Sequence, residues 1–208
     1  DQTGGMGAVS PACVTFSLEE NIERDMITKM INGMSAENFN YTGIIYLGGI
    51  INGEKIMNIE YNARWGDPEC QVVLPSVKND YIDLVYGSIN GYLDKLNINL
   101  DDKTRICVVG TSRGYPNDYS EVKGKRIYGL EDAMKIKDIK IFGSGIKIEC
   151  EKFYANGGRL FSVVAEGNNI INARVKAYEA ISLISIEGNN LHYRTDIGWR
   201  DVERFRSI

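Results

Sequence analysis

Two β-rich runs separated by a single Asn-Gly pair constrain this chain more than any other feature. The first run covers residues 42–51, the second covers residues 54–62, and Asn52-Gly53 lies between them. Asn-Gly is a strong short-range hairpin signal, because both residues tolerate the backbone conformation that a tight two-residue turn needs. The sequence therefore predicts an antiparallel hairpin in the first half of the chain.

Helical periodicity is predicted on both sides of this hairpin. Before it, Ser17 and Glu20 form a capping-box pattern, and apolar residues at helical spacing predict an amphipathic helix over roughly residues 18–34. We expect the methionine-rich stripe of that helix to belong to the core; its residues are Ile22, Met26, Ile27, Met30, Ile31 and Met34. After the hairpin, residues 69–77 and 80–95 are predicted to be helical.

The sequence pattern changes after residues 97–102. This stretch is polar and rich in turn-forming residues, which is typical of a linker. Beyond it, one helix is predicted over roughly residues 169–185, together with short strands separated by glycine turns. These strands are predicted at about 104–110, 125–128, 138–142, 146–154 and 159–166. The whole pattern favours an α+β fold with a first domain at 1–97 and a second at 98–208.

Composition and charge exclude several classes of protein. The chain has 208 residues, of which 43% are hydrophobic and 25% charged, which excludes a disordered tail, a collagen-like repeat and a coiled coil. The net charge is −4 and no basic cluster occurs, so we expect no nucleic-acid partner. The longest strongly apolar stretch, residues 42–52, is too short to span a bilayer, and no N-terminal signal is visible. We therefore expect a cytoplasmic protein that does not contact a membrane.

The chain has four cysteines and one histidine, and these numbers exclude further functions. His192 stands alone, and no CxxC pair occurs among Cys13, Cys70, Cys107 and Cys150. A zinc site of cysteine and histidine and a hydrolase triad are therefore not expected. We expect the cysteines to be reduced and mostly buried, and His192 to be a surface or structural residue.

Glycine is over-represented, with 22 of 208 residues against a usual share of about 7%. Three of these glycines form the loop Gly4-Gly5-Met6-Gly7. Such a loop allows backbone N–H groups to approach a phosphate or an acyl intermediate. A tight connection without a ligand explains the same glycines, so both interpretations stay open.

Glu60, Asn62 and Arg64 are spaced two residues apart in a predicted strand, so we expect them to share one face. Carboxylate and amide oxygens suit Mg²⁺, and a guanidinium suits phosphate oxygens. A solvated strand face without a ligand explains the same three residues. Two more carboxylates, Asp67 and Glu69, flank the turn that follows, and their proximity in the chain favours the metal site.

The same residues carry a family resemblance. Glu60–Arg64 (EYNAR) resembles the metal strand of ATP-grasp ligases. Arg64–Gln71 (RWGDPECQ) is similar to the signature of the glycinamide ribonucleotide synthetase (phosphoribosylamine–glycine ligase) family, except that Trp65 stands where the family usually has phenylalanine. Other motifs follow in the family's order, namely Thr3–Ala8 with Ser10-Pro11, Gly114-Tyr115-Pro116, Asn156–Arg159 and Asp196–Arg200.

The resemblance implies a fold, a reaction and partners. The fold would be the C-terminal portion of an ATP-grasp domain, an antiparallel sheet with helices, followed by a small α+β domain of short strands and one main helix. The reaction would join glycine to 5-phosphoribosylamine in purine biosynthesis, with ATP as co-substrate, Mg²⁺ or Mn²⁺ as cofactor and glycyl phosphate as intermediate. The family enzyme is about twice as long, so we expect this chain to be its C-terminal half and to need the N-terminal half as a partner.

The resemblance also assigns roles to residues. Glu60 and Asn62 are expected to bind the metal, and Arg64 to act as the catalytic residue that stabilises the transferring phosphoryl group. The expected substrate-binding residues are Gly4, Gly5, Met6, Gly7, Asp67 and Glu69. Of these, Asp67 and Glu69 would orient either Arg64 or the glycine ammonium group. The alternative is a non-catalytic module, derived from that ligase, that keeps a phosphoribosyl-binding or partner-binding surface.

Three further predictions concern packing. The two strands of the hairpin should lack neighbouring strands, and the exposed edge and apolar surface should favour self-association or a tight partner. Residues 156–159 are predicted to form a hairpin turn, and contact of Arg159 with substrate is the alternative that stays open. Trp199 is predicted to anchor a C-terminal helix by packing.

Overall fold

The chain passes back and forth between two structural units in the computed structural model, which describes residues 3–15, 18–53 and 55–207. Unit 1 consists of Asp1–Pro11, Asp67–Ser76 and Asp102–Ile208. Unit 2 consists of Ala12–Gly66 and Val77–Asp101. The predicted α+β class is confirmed. The domain boundary at residues 97 and 98 is a statement about family domains and stays a prediction.

Unit 2 begins with a 3₁₀ turn at Cys13–Thr15 and then contains the predicted first helix. Its α-helical parts, α1 (Glu19–Ile22) and α2 (Thr28–Ala36), are joined by a π-helical segment at Glu23–Ile27. The run agrees with the helix predicted over 18–34. Ser17 of the predicted capping box lies outside the described residues.

The methionine-rich stripe of this helix is only partly buried. Met26 is 6% exposed, whereas Ile31 is 52% exposed. Met30 and Met34 are half-buried. The prediction that the whole stripe belongs to the core was therefore wrong, because most large apolar side chains of unit 2 are themselves exposed and do not pack over it.

The predicted hairpin is confirmed. Strands β2 (Tyr46–Asn52) and β3 (Lys55–Asn62) pair antiparallel, with Asn52 opposite Lys55. Gly53 has a φ of 62°, the left-handed value that the turn requires. The pair forms a two-stranded sheet, so the prediction that these strands lack neighbouring strands agrees with the structure over residues 3–15, 18–53 and 55–207.

The second helical stretch of unit 2 is shorter than predicted. Helix α4 (Tyr81–Ile89) is capped by Asp80, whose side chain accepts a hydrogen bond of 2.8 Å from the Ile82 N–H. It ends before Gly91, which has a φ of 71°, and a 3₁₀ turn at Leu93–Lys95 replaces the rest of the predicted helix. A left-handed glycine is a common helix terminator, and the sequence-based prediction passed over it.

Unit 1 contains two antiparallel sheets. The larger has the strand order β1-β4-β9-β6, and β11 also pairs with β4. Its strands are β1 (Gly7–Ser10), β4 (Thr104–Ser112), β6 (Ile139–Gly143), β9 (Arg159–Gly167) and β11 (Leu191–His192). The smaller has the order β10-β5-β8-β7, with β5 (Arg126–Tyr128), β7 (Ile146–Glu149), β8 (Lys152–Ala155) and β10 (Ser185–Ile186).

The helices of unit 1 are α3 (Glu69–Val73), α5 (Leu130–Met134), α6 (Ile170–Ser182) and α7 (Trp199–Arg206). Its 3₁₀ turns lie at Leu74–Ser76 and Ser120–Val122.

The core of unit 1 lies on both faces of β4 and β9. Because side chains alternate along a strand, Ile106 and Val108 join the large apolar cluster, which also contains the buried residues of α6. Cys107 and Val109 face the other way and pack with Val72 of α3. Helix α6 begins at Asn169, whose side chain accepts a hydrogen bond of 2.9 Å from the Asn172 N–H.

Two loops of unit 1 differ from their predictions. The predicted strand 146–154 is two strands, because Cys150 and Glu151 have φ values of 46° and 58° and reverse the chain between β7 and β8. Residues 156–159 do not form a hairpin turn. They lead from β8 in the smaller sheet to β9 in the larger one.

The remaining side-chain predictions have mixed outcomes. All four cysteines are free thiols, but Cys107 alone among them is buried, while Cys150 is exposed, so the prediction that most are buried was wrong. His192 is exposed, in agreement with its predicted surface position. Trp199 is 41% exposed at the start of α7, so it packs only in part. Among the described residues, no helix has the length and apolarity needed to cross a membrane.

Candidate functional site

Glu60 and Asn62 lie together at the end of β3 in unit 2. The Asn62 Nδ2 donates a hydrogen bond of 3.0 Å to the Glu60 Oε1, which requires both side chains to be on one face of the strand. Arg64 lies two residues beyond the end of β3, so the alternation of strand faces does not extend to it. Its Nη1 donates a hydrogen bond of 2.8 Å to the Trp65 carbonyl oxygen.

The Glu60–Asn62 pair fits a divalent cation that also binds a substrate. Once the Asn62 N–H group is bonded to Glu60, the amide oxygen and the second carboxylate oxygen remain available as hard ligands. Mg²⁺ typically takes one or two protein oxygens and completes its shell with phosphate and water. Within residues 3–15, 18–53 and 55–207, no group of three or more His, Cys, Asp or Glu side chains could hold a metal ion. The pair therefore suits a shared ion better than an all-protein cage.

An apolar cleft of about 600 Å³ adjoins this pair within unit 2. Asn62 and Tyr61 form part of its wall, and the side chains of Met30 and Met34 form another part. The volume is in the range of small-molecule sites. The Glu60–Asn62 pair thus lies at the edge of a space that can admit an apolar group.

Trp65 fixes the segment after β3 to α4. Its indole Nε1 donates a hydrogen bond of 2.9 Å to the Tyr81 hydroxyl oxygen. Phenylalanine, the residue that the resembled family usually has here, cannot donate this bond. The substitution therefore adds a polar contact while it keeps an aromatic ring.

The glycine loop of unit 1 is anchored at both ends. The Gly4 N–H donates a hydrogen bond of 2.9 Å to the Tyr115 hydroxyl oxygen. The Met6 carbonyl oxygen accepts a bond of 3.1 Å from the Val109 N–H, and Gly7 already belongs to β1, opposite Val108. Within the described residues, the N–H groups of Gly5 and Met6 have no hydrogen-bond acceptor. These two groups are the donors that the loop can offer to a ligand.

Close packing explains why these positions are glycine. A Cβ on Gly4 would lie 2.9 Å from the Tyr115 hydroxyl oxygen, and a Cβ on Gly5 would lie 2.3 Å from Pro68 Cδ. A Cβ on Gly7 would lie 2.7 Å from the Cys107 carbonyl oxygen. The structure therefore supports the tight-connection interpretation for the glycines themselves, and it leaves the ligand interpretation to the Gly5 and Met6 N–H groups.

Asp67 is held by two side chains of unit 1. Its Oδ2 accepts a hydrogen bond of 2.7 Å from Arg159 Nη2, and its Oδ1 accepts one of 2.9 Å from Gln71 Nε2. The Cys70 thiol donates a bond of 2.9 Å to the Gln71 Oε1. Burial, and then the carboxylates of Asp67 and Glu69, raise the pKa of Cys70, so the thiol keeps its proton and remains a donor.

Glu69 lies in the first turn of α3, and its carboxylate forms no hydrogen bond with any residue that the structure describes. Tyr115 is a contact residue that the sequence did not assign to the site, and Arg159 was considered only as an alternative substrate contact, not as a partner of Asp67. Both belong to motifs that carried the resemblance, Gly114-Tyr115-Pro116 and Asn156–Arg159. The signal was therefore present, but the partners of these side chains are far away in the chain.

Two family models match the chain. The model described as "Phosphoribosylglycinamide synthetase, ATP-grasp (A) domain" matches residues 1–70, and the one described as "Phosphoribosylglycinamide synthetase, C domain" matches residues 105–200. The phosphoribosylamine–glycine ligase of Fusobacterium nucleatum is 39% identical over 199 residues, which are 94% of this chain and 46% of that protein. The trifunctional purine biosynthetic protein adenosine-3 of Homo sapiens is 37% identical over 96% of this chain and 20% of its own length.

Solved structures agree with these matches. The phosphoribosylamine–glycine ligase of Thermotoga maritima has a TM-score of 0.77 at 29% identity, over 94% of this chain and 47% of that one. The N5-carboxyaminoimidazole ribonucleotide synthetase of the same organism has a TM-score of 0.55 at 14% identity, over 86% and 45%, and shows a similar fold. The chain spans about half the length of the phosphoribosylamine–glycine ligases that it matches. It belongs to the phosphoribosylglycinamide synthetase family, as the matches to the A and C domain models together require.

Proposed function

We propose that this chain is part of an ATP-dependent ligase that joins glycine to 5-phosphoribosylamine and releases ADP and phosphate. The glycine carboxylate would attack the γ-phosphorus of ATP, and ADP would leave. The amine of phosphoribosylamine would then attack the acyl carbon of glycyl phosphate, form the amide bond and displace phosphate. The relatives' names support this reaction, since they are called phosphoribosylamine–glycine ligases.

The observation that carries the proposal is the Glu60–Asn62 pair. Among the residues that the structure describes, these two adjacent hard oxygen ligands on one strand face have no structural partner that would explain them, apart from each other. When a divalent ion such as Mg²⁺ is bound there, it supplies positive charge against the phosphate oxygens. Glu60 and Asn62 would hold that ion and fix its position relative to the strand.

Arg64 would interact with the phosphoryl group that is transferred. Its side chain is exposed, and the Trp65 carbonyl oxygen engages its Nη1. A guanidinium has five N–H donors, so others remain for phosphate oxygens. Gly5 and Met6 would donate their free N–H groups to an anionic part of a substrate, and Glu69 would contact the glycine ammonium group.

A companion polypeptide is part of the proposal, because the chain spans about half the length of its relatives. The expected partner is the N-terminal half of the same enzyme. The exposed apolar side chains of unit 2 support such a partner, since a surface of that kind favours association. The 208 residues alone are expected to have little or no activity.

The test is ADP release that depends on both glycine and phosphoribosylamine, measured with the chain alone and with the N-terminal half added. We expect activity only with both halves. Glu60→Gln keeps the shape of the side chain and removes the negative charge of the ligand, so it should lower kcat by at least about 100-fold. Glu149→Gln is the matched control, since Glu149 is also an exposed strand glutamate, and it should leave kcat unchanged.

The outcomes separate the ligase from the alternative. Activity with both halves that persists in Glu60→Gln would remove Glu60 from the metal site. No activity in either mixture would contradict the ligase and favour a non-catalytic phosphoribosyl-binding or partner-binding module. Activity of the chain alone would contradict the need for a companion.

A further inference from the structure

Arg159 connects three segments of unit 1 that are far apart in the chain. It stands at the start of β9, and its side chain is 27% exposed. Its Nη1 donates to the Gly5 carbonyl oxygen at 3.3 Å and to the Asp67 carbonyl oxygen at 3.0 Å. Its Nη2 forms the ion pair of 2.7 Å with the Asp67 carboxylate. One guanidinium thus joins the glycine loop and the Asp67–Pro68 turn to β9 of the larger sheet.

Tyr115 also contacts the glycine loop and the residue that precedes Arg159. Its hydroxyl oxygen accepts the Gly4 N–H, and its ring lies so near the residue before Arg159 that a Cβ on Gly158 would be 2.4 Å from Tyr115 Cδ2. Any side chain at position 158 would therefore collide with the Tyr115 ring. The Ser112 N–H holds the Gly158 carbonyl oxygen at 2.8 Å, which ties this point to β4.

The hydrogen bonds to Arg159 and Tyr115 involve only some of the backbone N–H and carbonyl groups of the glycine loop. They occupy the Gly4 N–H and the Gly5 carbonyl oxygen. The N–H groups of Gly5 and Met6 stay without an acceptor among the described residues. Since the ion pair with Asp67 neutralises the Arg159 charge, Arg159 is suited to hold the loop in place and poorly suited to bind a second anion.

We infer that Arg159, together with Tyr115, is a positioning residue that holds residues 3–7 against the Asp67–Pro68 turn and so fixes the Gly5 and Met6 N–H groups as donors to substrate. The inference rests on the proposed function, in which those two groups contact an anionic part of the substrate. It also assigns Asp67 a different role from that predicted from sequence. Asp67 acts through Arg159 and does not orient the glycine ammonium group.

Hydrogen exchange measured by mass spectrometry on the 208-residue chain tests whether the loop is held. Arg159→Met keeps the length and apolar volume of the side chain and removes its donors. We expect exchange in residues 3–6 to accelerate by at least about tenfold. Arg174→Met is the matched control, because the Arg174 guanidinium also binds two carbonyl oxygens of unit 1, those of Ile197 at 2.9 Å and Thr195 at 2.7 Å. It should accelerate exchange around residues 193–198. Because Ile197 lies against Gly7, the comparison uses residues 3–6, whose exchange this control should leave unchanged.

Ligase kinetics with both halves of the enzyme test whether the loop's position matters to the reaction. We expect Arg159→Met to lower kcat by about 10- to 100-fold, with a smaller change in KM, because misplaced donors stabilise developing charge poorly. Arg159→Lys keeps the charge but replaces the planar two-nitrogen fork with a single nitrogen, so it should recover only part of kcat. Tyr115→Phe removes the Gly4 acceptor and should act in the same direction.

Each result has one meaning. Unchanged exchange in residues 3–6 of Arg159→Met overturns the inference, whatever the kinetics are. Faster exchange with wild-type kcat and KM overturns it as well, because the loop's position would then not affect the reaction. A wild-type mixture without ligase activity overturns the proposed function, while the exchange data still decide separately whether Arg159 holds the loop.

Discussion

The two units differ sharply in how they bury apolar side chains. Both apolar clusters of buried residues belong to unit 1. Among the described residues of unit 2, the buried hydrophobic side chains are those of Leu18 and Met26. Of the 23 exposed large hydrophobic side chains in the described part of the chain, fifteen lie in unit 2, so its helices and hairpin present apolar groups without covering them.

This difference shows that a segment can form regular secondary structure without contributing to a buried core. Unit 1 packs β4 and β9 between α6 on one face and α3 on the other, and burial of apolar side chains stabilises these four elements. A lone two-stranded hairpin is at best marginally stable in water. The elements of unit 2 therefore depend on whatever covers their apolar faces, and this dependence can be tested by experiment.

The largest expected effect is a core substitution in unit 1. Phe161 is fully buried, so Phe161→Ala should lower the free energy of unfolding by about 3–5 kcal/mol. Ile59→Ala in unit 2, at a position that is 61% exposed, should change it by less than about 0.5 kcal/mol. Urea unfolding followed by circular dichroism measures both. A similar loss at the two positions would contradict the contrast between the units.

Amide hydrogen exchange should resolve the same contrast along the backbone. Amides in β4 and β9 should exchange at least about 100-fold more slowly than those in β2 and β3, because only the former open with the global unfolding of a core. Mass spectrometry of peptides from each strand provides the comparison. Equal protection would indicate that unit 2 has a stability of its own.

Self-association should depend on the surface of unit 2. Ile59→Lys and Ile82→Lys place charges on exposed apolar positions and should weaken association by about tenfold each, or about 1.4 kcal/mol. Val175→Lys is the control, since Val175 is 62% exposed on α6 of unit 1. Sedimentation velocity measures the shift. A wild-type chain that stays monomeric at all concentrations would contradict the prediction.

The smallest effect concerns helix caps. Asn169→Ala and Asp80→Ala each remove one capping hydrogen bond, which costs about 1 kcal/mol. In α6 the loss should appear in the global unfolding of unit 1. In α4 it should appear only as faster local exchange over residues 81–84. A fall in global stability from Asp80→Ala would place α4 in the cooperative core.

Local signals in the sequence were sufficient for some elements. Asn52-Gly53 located the hairpin, and the period of two placed Glu60 and Asn62 on one face. Contacts between distant residues had no such signal. Asp67 and Arg159 are 92 residues apart, and nothing near either residue indicates the other. The burial of the methionine-rich stripe was also unpredictable, because periodicity identifies the apolar face of a helix and not what covers that face.

The pairing of β1 with β4 has a consequence during synthesis. Gly7 lies opposite Val108, so β1 leaves the ribosome long before its partner exists. At typical elongation rates of about 5–20 residues per second, the intervening stretch of roughly 100 residues takes about 5–20 s. During that interval β1 and the glycine loop have neither the β4 edge nor Arg159 to hold them. The nascent chain is then open to chaperones, and the loop can reach its final position only after β9 has been made.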